Sequence, residues 1–511
     1  MAYLLGIDIG TSGTKTVLFD KNGATVASST YEYPLYQPNI GWAEQDPEDW
    51  WKATCETIRA VLSKSGVNPG DIKGVGLSGQ MHGIVLLDGE GNILRRSIIW
   101  CDQRTELECG QITELIGRER LIQITANPAL TGFSASKIMW VKNNEPDVFN
   151  KISKILLPKD FIRFRLTGEY ATEVSDASGM QLMDIPKRAW SSEVLDKLGI
   201  ERSRLGELYE SQEITGRVNP AGAGQTGLRE GTPVVGGAGD QAAGAVGNGI
   251  VRTGVVSSTI GTSGVVFAYS DKISIDPAGR VHTFCHAVPN TWHIMGVTQA
   301  AGLSLKWFRD NFCMEEKRVA ELMGVDPYML MDKEAEKVAP GCNGLIYLPY
   351  LMGERSPHLD AAAKGVFFGL SAMHEKRDML RAVMEGVVYG LRDCLQIIRG
   401  MGVEINEVRA SGGGGKSPFW RQMQADVFDA GVTTTNSSEG SALGVALLAG
   451  VGTGMYKSVA EACDTAIQVR SRQEPDREKH KEYMKYYGIY CRLYNSLKQD
   501  YRELAGILNA V

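Results

Sequence analysis

"IGTSG" occurs twice in the chain, at residues 9–13 within "DIGTSGTK" and at residues 260–264 within "TIGTSGVV". What flanks the first copy decides the fold. Tyr3 to Ile9 and Thr14 to Phe19 read as β-type runs, and "DKNG" at residues 20–23 turns the chain into a third, "ATVASSTY". Glycines that join two strands predict a β-meander. A Walker-type loop or a dinucleotide fingerprint instead opens a helix directly after its glycines.

The order continues in a way that repeats. "DPEDWWKATCETIRAVLSKSG" has Asp46 as N-cap, Pro47 at the first helical position and apolar residues at helical spacing. "IKGVGLSGQMHG" then reads as a buried strand ending in small residues. In the second half "GVVSSTIGTSGVVFAYS" gives strand, turn and strand, and "VHTFCHAVPNTWHIMGV" a further hairpin. A long helical pattern over residues 378–399 precedes "INEVRAS", the run "GGGGKS" and a helix opened by Ser417 and Pro418. This is the pattern of a duplicated α/β domain, residues 1–245 and 246–511, with the turn marking the start of each copy.

With 511 residues, 43% hydrophobic, the chain exceeds the size at which one core stops growing, so two large domains are expected. Nine cysteines without a CxxC pair suit reduced thiols in a cytosolic protein and read as small core residues. A net charge of -6 gives no reason to expect nucleic acid or an anionic membrane as partner. "MAYLLGIDIGTSG" lacks a basic segment and an uninterrupted apolar run, and "ALGVALLAGVG" at residues 442–452 is too short to span a bilayer. A cytoplasmic, globular protein is expected.

In each turn, glycines let backbone approach a ligand, hydroxyls add donors and consecutive amides can form an anion nest. The first copy offers Gly10, Thr11, Ser12 and Gly13, the second Gly261, Thr262 and Ser263. Asp8 ends the first strand where it could hold magnesium, and Thr259 takes that place in the second. The plain alternative is two glycine hairpins. Two turns facing across a cleft would grip one polyphosphate from both sides, and a single metal-binding carboxylate then suffices.

Asp240, in "GGAGDQAAGAVG", begins a helix after small residues, where the helix terminus favours the ionised form that a general base needs. An ordinary N-cap explains the same residue, but its place at the presumed domain junction favours a ligand role. "ASGGGGKS" at residues 410–417 matches a relaxed Walker pattern. A phosphate loop would need a parallel sheet around it and a metal-binding aspartate after it. The other use is a glycine-walled slot for a flat base, with Lys416 peripheral. His282 and His286 read as strand residues about 13 Å apart, too far for one ion, and Trp42, Trp50 and Trp51 as packing residues.

Together, "GIDIGTSGTK", "WAEQDPEDWW", "GLSGQMHG", "WCDQRT", "SKIMWVKNNEP", "SDASG", "GAGDQAAGAVG", "LPYLMGERSPH" and "SGGGGKSPFWRQMQADV" resemble, in order, the FGGY family of carbohydrate kinases over essentially the whole chain. The resemblance implies a duplicated actin-like, ribonuclease-H-type ATPase fold. The sugar would bind mainly on the N-terminal domain and ATP mainly on the C-terminal one, with a cleft between. By match, Asp8 and the turn from Gly10 to Gly13 face magnesium and the phosphates, with Gly261, Thr262 and Ser263 opposite. Asp240 is the base beside Gln241, Met81 and His82 contact the sugar, and Gly413, Gly414 and Ser417 line the adenosine pocket. Some relatives carry asparagine where Gln241 stands, and the match is silent on the charged helical segment from about Glu474. The implied reaction is MgATP-dependent phosphorylation of a ketose such as D-xylulose on its 5-hydroxyl, with D-ribulose, gluconate and glycerol as alternative acceptors and a homodimer as the assembly.

Overall fold

The computed structural model describes residues 2–437 and 439–509. Two seven-stranded sheets carry the molecule. The first contains β1 (Tyr3–Ile9), β2 (Gly13–Asp20), β3 (Thr25–Glu32), β4 (Ile72–Gly79), β5 (Ile214–Arg217) and β6 (Pro233–Val235), in the order β5-β6-β4-β1-β2-β3, and the short strand Ala238–Gly239 also pairs with β4. The second contains β7 (Gly254–Ile260), β8 (Gly264–Ser270), β9 (His282–Cys285), β10 (Trp292–Thr298), β11 (Ile405–Gly412), β12 (Gly431–Thr435) and β13 (Val469–Gln473), in the order β9-β10-β8-β7-β11-β12-β13.

Five strands of each sheet follow one plan. β1 runs antiparallel to β2, β2 antiparallel to β3, and β1 and β4 are parallel, as are β4 and β6. β7, β8, β10, β11 and β12 repeat these relations one for one. The meander comes from the glycine turns, whose short closure permits only antiparallel neighbours; the parallel partner arrives through a crossover helix. In the first half that helix is α1 (Pro47–Ser65), capped by the Asp46 side chain on the Glu48 amide and ended by Gly66 at φ 63°. In the second half α5 (Lys376–Gly400) precedes β11 and buries one long apolar face.

Six more helices complete the frame around the site: α2 (Ser134–Asn144), α3 (Asp240–Gly247), α4 (Gly302–Phe312), α6 (Pro418–Phe428), α7 (Gly440–Gly452) and α8 (Arg477–Asn509). α7 is the segment that is apolar on all sides, and it is buried rather than membrane-bound. It lies on β1 and β4 of the first sheet, although it belongs to the second half of the chain. A Cβ at Gly76 would stand 1.9 Å from the Val445 carbonyl oxygen, and one at Gly444 the same distance from that of Ala243, so both strand and neighbouring helix touch α7 through bare backbone. Among the described residues no helix is long and apolar enough to cross a membrane.

Two expectations change. β11 has a parallel neighbour on each side within a mixed sheet, so the run "GGGGKS" does follow a strand in parallel surroundings. Cys491 is exposed rather than a core residue. The segment after Glu474 is helical as expected: it is the long helix α8, whose Tyr483 and Tyr490 are buried in the second core.

Candidate active site

Both glycine turns lie at the carboxyl ends of the first strands of their sheets. Gly10 N–H closes the first on the Gly13 carbonyl at 3.1 Å, and Gly261 N–H closes the second one residue sooner, on Ser263 at 3.0 Å. In each, the next two amides, of Thr11 and Ser12 and of Thr262 and Ser263, make no hydrogen bond among the described residues. Consecutive free amides on a turn are donors for an anion. The first turn is pinned from outside: Gln45 Nε2 donates to the Thr11 carbonyl at 2.7 Å, Trp100 Nε1 to Thr11 Oγ1 at 2.9 Å, and Tyr33 Oη to the Gly10 carbonyl at 2.5 Å. The second is held from below by the N-terminus of α4, whose Gly302 and Leu303 amides donate to the Gly261 and Thr262 carbonyls.

The run "GGGGKS" is built differently. Gly414 N–H donates to the Ile260 carbonyl at 3.2 Å and Lys416 N–H to that of Gly413 at 3.1 Å, so every second amide is engaged and no continuous cradle forms. This, rather than the sheet around it, separates it from a phosphate loop. Ser417 Oγ accepts from the Trp420 amide and caps α6. A Cβ at Gly413 would make only an ordinary contact, 3.7 Å from the Ile260 carbonyl oxygen, whereas a Cβ at Gly414 would lie 2.6 Å from that of Ile260. Only Gly413 therefore owes its bareness to the ligand side.

Two cavities meet at this run. One, of about 420 Å3, gathers Gly261, Thr262, Gly413, Gly414 and Ser417, together with Asp332. The other, of about 750 Å3, has Asp240 and Gln241 on one wall and Thr259, Ser411 and Gly413 on the other. Lys416 lines both, which corrects its expected peripheral place. Ser263 and the turn from Gly10 to Gly13 line neither cavity, nor do Met81 and His82.

Asp240 is the first residue of α3, and only half-buried. Its pKa is pushed up to about 7, first by burial and then by the carboxylate of Asp8, which ends β1 on the other side of β4, so the helix terminus does not hold it as firmly ionised as expected. Asp8 itself is raised by burial, against the Ser78 hydroxyl and the Lys15 ammonium. Its Oδ1 is buried without a hydrogen-bond partner. An orphaned carboxylate oxygen at the strand end that leads into the turn is a donor that would suit a magnesium ion.

Behind Asp240 lies the floor that sequence reasoning missed. A Cβ on Gly239 would stand 2.9 Å from Met81 Cγ and 3.4 Å from Asp176 Oδ1. Asp176 belongs to a fully buried charge network in which Lys159 Nζ lies 2.7 Å from Asp160 and 3.4 Å from both Glu173 and Asp176. His82 sits beyond Met81, with Phe133 4.9 Å from its ring and Nδ1 2.8 Å from the Gly179 carbonyl. Arg355, from the second half, contributes a desolvated guanidinium close enough to help lower the pKa of both His82 and His282. Its only sequence signal is "GERSPH", which gives no hint of a neighbour across the cleft. His282 Nδ1 is instead 2.7 Å from Asn127 Oδ1, and His286 Nε2 lies 3.0 Å from the Ile250 carbonyl.

Comparison with known proteins places this geometry. Residues 3–247 match the N-terminal domain of the FGGY family of carbohydrate kinases, and residues 256–453 match its C-terminal domain. The chain belongs to that family. It is 40% identical to a xylulose kinase of Bacillus subtilis over 98% of each chain, and 38% identical to one of Escherichia coli over 96% of this chain and 99% of the other. The crystal structure of a ligand-bound xylulose kinase from Lactobacillus acidophilus superposes with a TM-score of 0.92 at 28% identity, covering 99% of this chain and 100% of the other. The fold is thus the duplicated actin-like ATPase fold of FGGY kinases. Coverage this complete takes in α8, so the segment after Glu474 is common to relatives rather than an addition.

Proposed function

We propose that the chain transfers the γ-phosphoryl group of MgATP to the 5-hydroxyl of D-xylulose, with Asp240 as general base. The observation that carries this reading is Asp240 itself: a half-buried carboxylate at a helix N-terminus, on the cleft wall, with a pKa of about 7. A base works best when its pKa lies near the operating pH. The choice of sugar rests on the similarity to xylulose kinases.

In this reading the adenosine occupies the cavity beside Gly413 and Ser417, and the free amides of both turns hold the phosphates. Asp8 would hold magnesium, which supplies positive charge against the phosphate oxygens. Asp240 accepts the proton of the sugar hydroxyl while its oxygen forms the new bond to the γ-phosphorus. The bond from that phosphorus to the β–γ bridging oxygen breaks in line, and ADP leaves with its electron pair. Met81 packs against Gly239 and shapes the floor, and His82 accepts a hydrogen bond from a sugar hydroxyl. Gln241 stands beside the base.

A second acceptor has one observation in its favour. The guanidinium of Arg355, without an ion pair among the described residues and close to His82, suits a carboxylate, as gluconate would provide. Sugar-dependent ADP release with D-xylulose, D-ribulose, L-ribulose, gluconate and glycerol decides between them. D-xylulose is expected to give the highest kcat/KM, and Asp240→Asn to lower kcat by about two to four orders of magnitude with sugar affinity nearly kept. A near-normal rate in Asp240→Asn removes Asp240 from the role, and a higher kcat/KM for gluconate moves the specificity to the acid.

A further inference from the structure

His82 adopts φ 72°, a left-handed conformation that a residue with a side chain keeps only when its surroundings hold it. The holding groups come from α2, outside the cleft. Lys137 Nζ donates to the His82 carbonyl at 2.9 Å, and Ser134 Oγ donates to the same oxygen at 3.1 Å. Lys137 also donates to the Gly132 carbonyl at 2.6 Å, next to Phe133, whose ring packs against the His82 imidazole. One ammonium thus ties the turn carrying the histidine to the turn that backs its ring.

This lysine is costly. It is completely buried and, among the described residues, it forms no ion pair. The nearest influential carboxylate, Asp102, is occupied by Arg104 and by the Ala43 amide. Burial accordingly pushes the Lys137 pKa down to about 7. An apolar residue of the same length would fill the space without that penalty, so what the ammonium adds is its two carbonyl contacts.

The histidine's other constraints agree. A carbonyl oxygen only accepts, so the contact to Gly179 requires the proton on Nδ1 and leaves Nε2 as an acceptor. A Cβ at Gly179 would stand 2.5 Å from Nδ1, which leaves the ring nowhere else to turn on that side. Burial first, then the Lys137 charge, hold the imidazole neutral, with its pKa lowered to about 3.

We propose that Lys137 is a positioning residue for the sugar: by gripping the His82 carbonyl it fixes the left-handed turn that presents Nε2 to a substrate hydroxyl. The inference rests on the reading of His82 as a sugar contact. A double-mutant cycle tests both separately. Lys137→Met, His82→Ala and the double variant are assayed with D-xylulose for KM, with ATP for KM, and for slow ATP hydrolysis without sugar.

Each single change is expected to raise the sugar KM about tenfold or more, and Lys137→Met to leave the ATP KM and sugar-independent hydrolysis within about twofold of the parent. The double variant is expected to be no worse than the poorer single one, because both act through one contact. If His82→Ala raises the sugar KM while Lys137→Met does not, or if their effects multiply, Lys137 does not act through His82 and the inference fails with the histidine's role intact. An unchanged KM in His82→Ala removes the sugar contact itself. Where Lys137→Met does not fold, Ser134→Ala removes the other donor to the same oxygen. A sugar KM raised about threefold there supports the positioning role, and an unchanged one overturns it.

Discussion

The turns at residues 9–13 and 260–264 share one sequence and equivalent places in equivalent sheets, but the residue before them differs. Asp8 pairs in register with Ser78 across β4, and Thr259 with Ser411 across β11. Thr259 and Ser411 satisfy each other through a hydrogen bond of 2.7 Å. Asp8 keeps an oxygen without a partner, and the Ser78 hydroxyl beside it is also left unbonded. One copy has settled its polar groups internally, and the other holds a carboxylate in readiness. In the proposed function the duplication supplies two phosphate grips, and the carboxylate left unsatisfied in one of them is the one assigned to the metal.

Giving the first turn the chemistry of the second breaks the difference most strongly. Asp8→Thr is expected to lower kcat by about two to three orders of magnitude, the scale of losing one strong electrostatic group at the reacting phosphate. It also removes a carboxylate whose raised pKa means that the folded state disfavours its charge. Stability at pH 7 should therefore hold or rise while activity collapses, as paired assays of turnover and urea midpoint will reveal. A protein that lost both together would mean that Asp8 is a structural residue.

The same variant moves the base. If Asp240 is the base, as proposed, kcat/KM for the sugar in the parent should fall as pH drops through about 7, because the carboxylate must be ionised to accept a proton and its pKa lies there. Burial is the first cause of that value and Asp8 the second. Removing a like charge favours ionisation, so the Asp240 pKa should shift to lower pH in Asp8→Thr, followed by NMR titration of the carboxyl carbon. An unmoved titration would mean that the two aspartates do not sense each other.

Lys416 gives a smaller effect. It stands at the junction of both cavities without an amide cradle behind it, so Lys416→Ala should raise the KM for ATP a few-fold and leave kcat within about tenfold. Abolished turnover would restore the phosphate-loop reading of the run.

Much of this was legible because it is local. A glycine turn between two β-runs, Asp46 with Pro47, and Ser417 with Pro418 each act within a few residues, and the elements form where those signals place them. The succession of meander, helix and strand in each half followed from the repeat. The docking of α7 on the first sheet was not legible: a helix apolar on every side announces burial but not against what, and only the bare backbone at Gly76 reveals its partner. The parallel neighbours of β11 were hidden for the same reason. At the site, Asp8 and Asp240 stood out as carboxylates at element ends, but nothing in the sequence singled out Lys137 or Arg355. Their roles arise from which carbonyl or ring the fold sets beside them, and no spacing along the chain encodes that.

The mildest change completes the comparison. Thr259→Val keeps the shape of the second turn's approach but deletes the hydroxyl that pairs with Ser411. Losing one partner leaves the other polar group unmade, a cost of about 1–3 kcal/mol when it is sealed from water. Both residues line the larger cavity, where water reaches them, so about 1 kcal/mol is expected, read as a lowered urea midpoint. Turnover should stay near that of the parent, since Thr259 holds no charge and its neighbours' free amides are untouched. Asp8→Thr and Thr259→Val would then be opposites: activity lost with stability kept, and stability lost with activity kept. Should Thr259→Val instead lose turnover as steeply as Asp8→Thr, the second turn would share the work assigned to the first, and the asymmetry would be one of residue type without one of role.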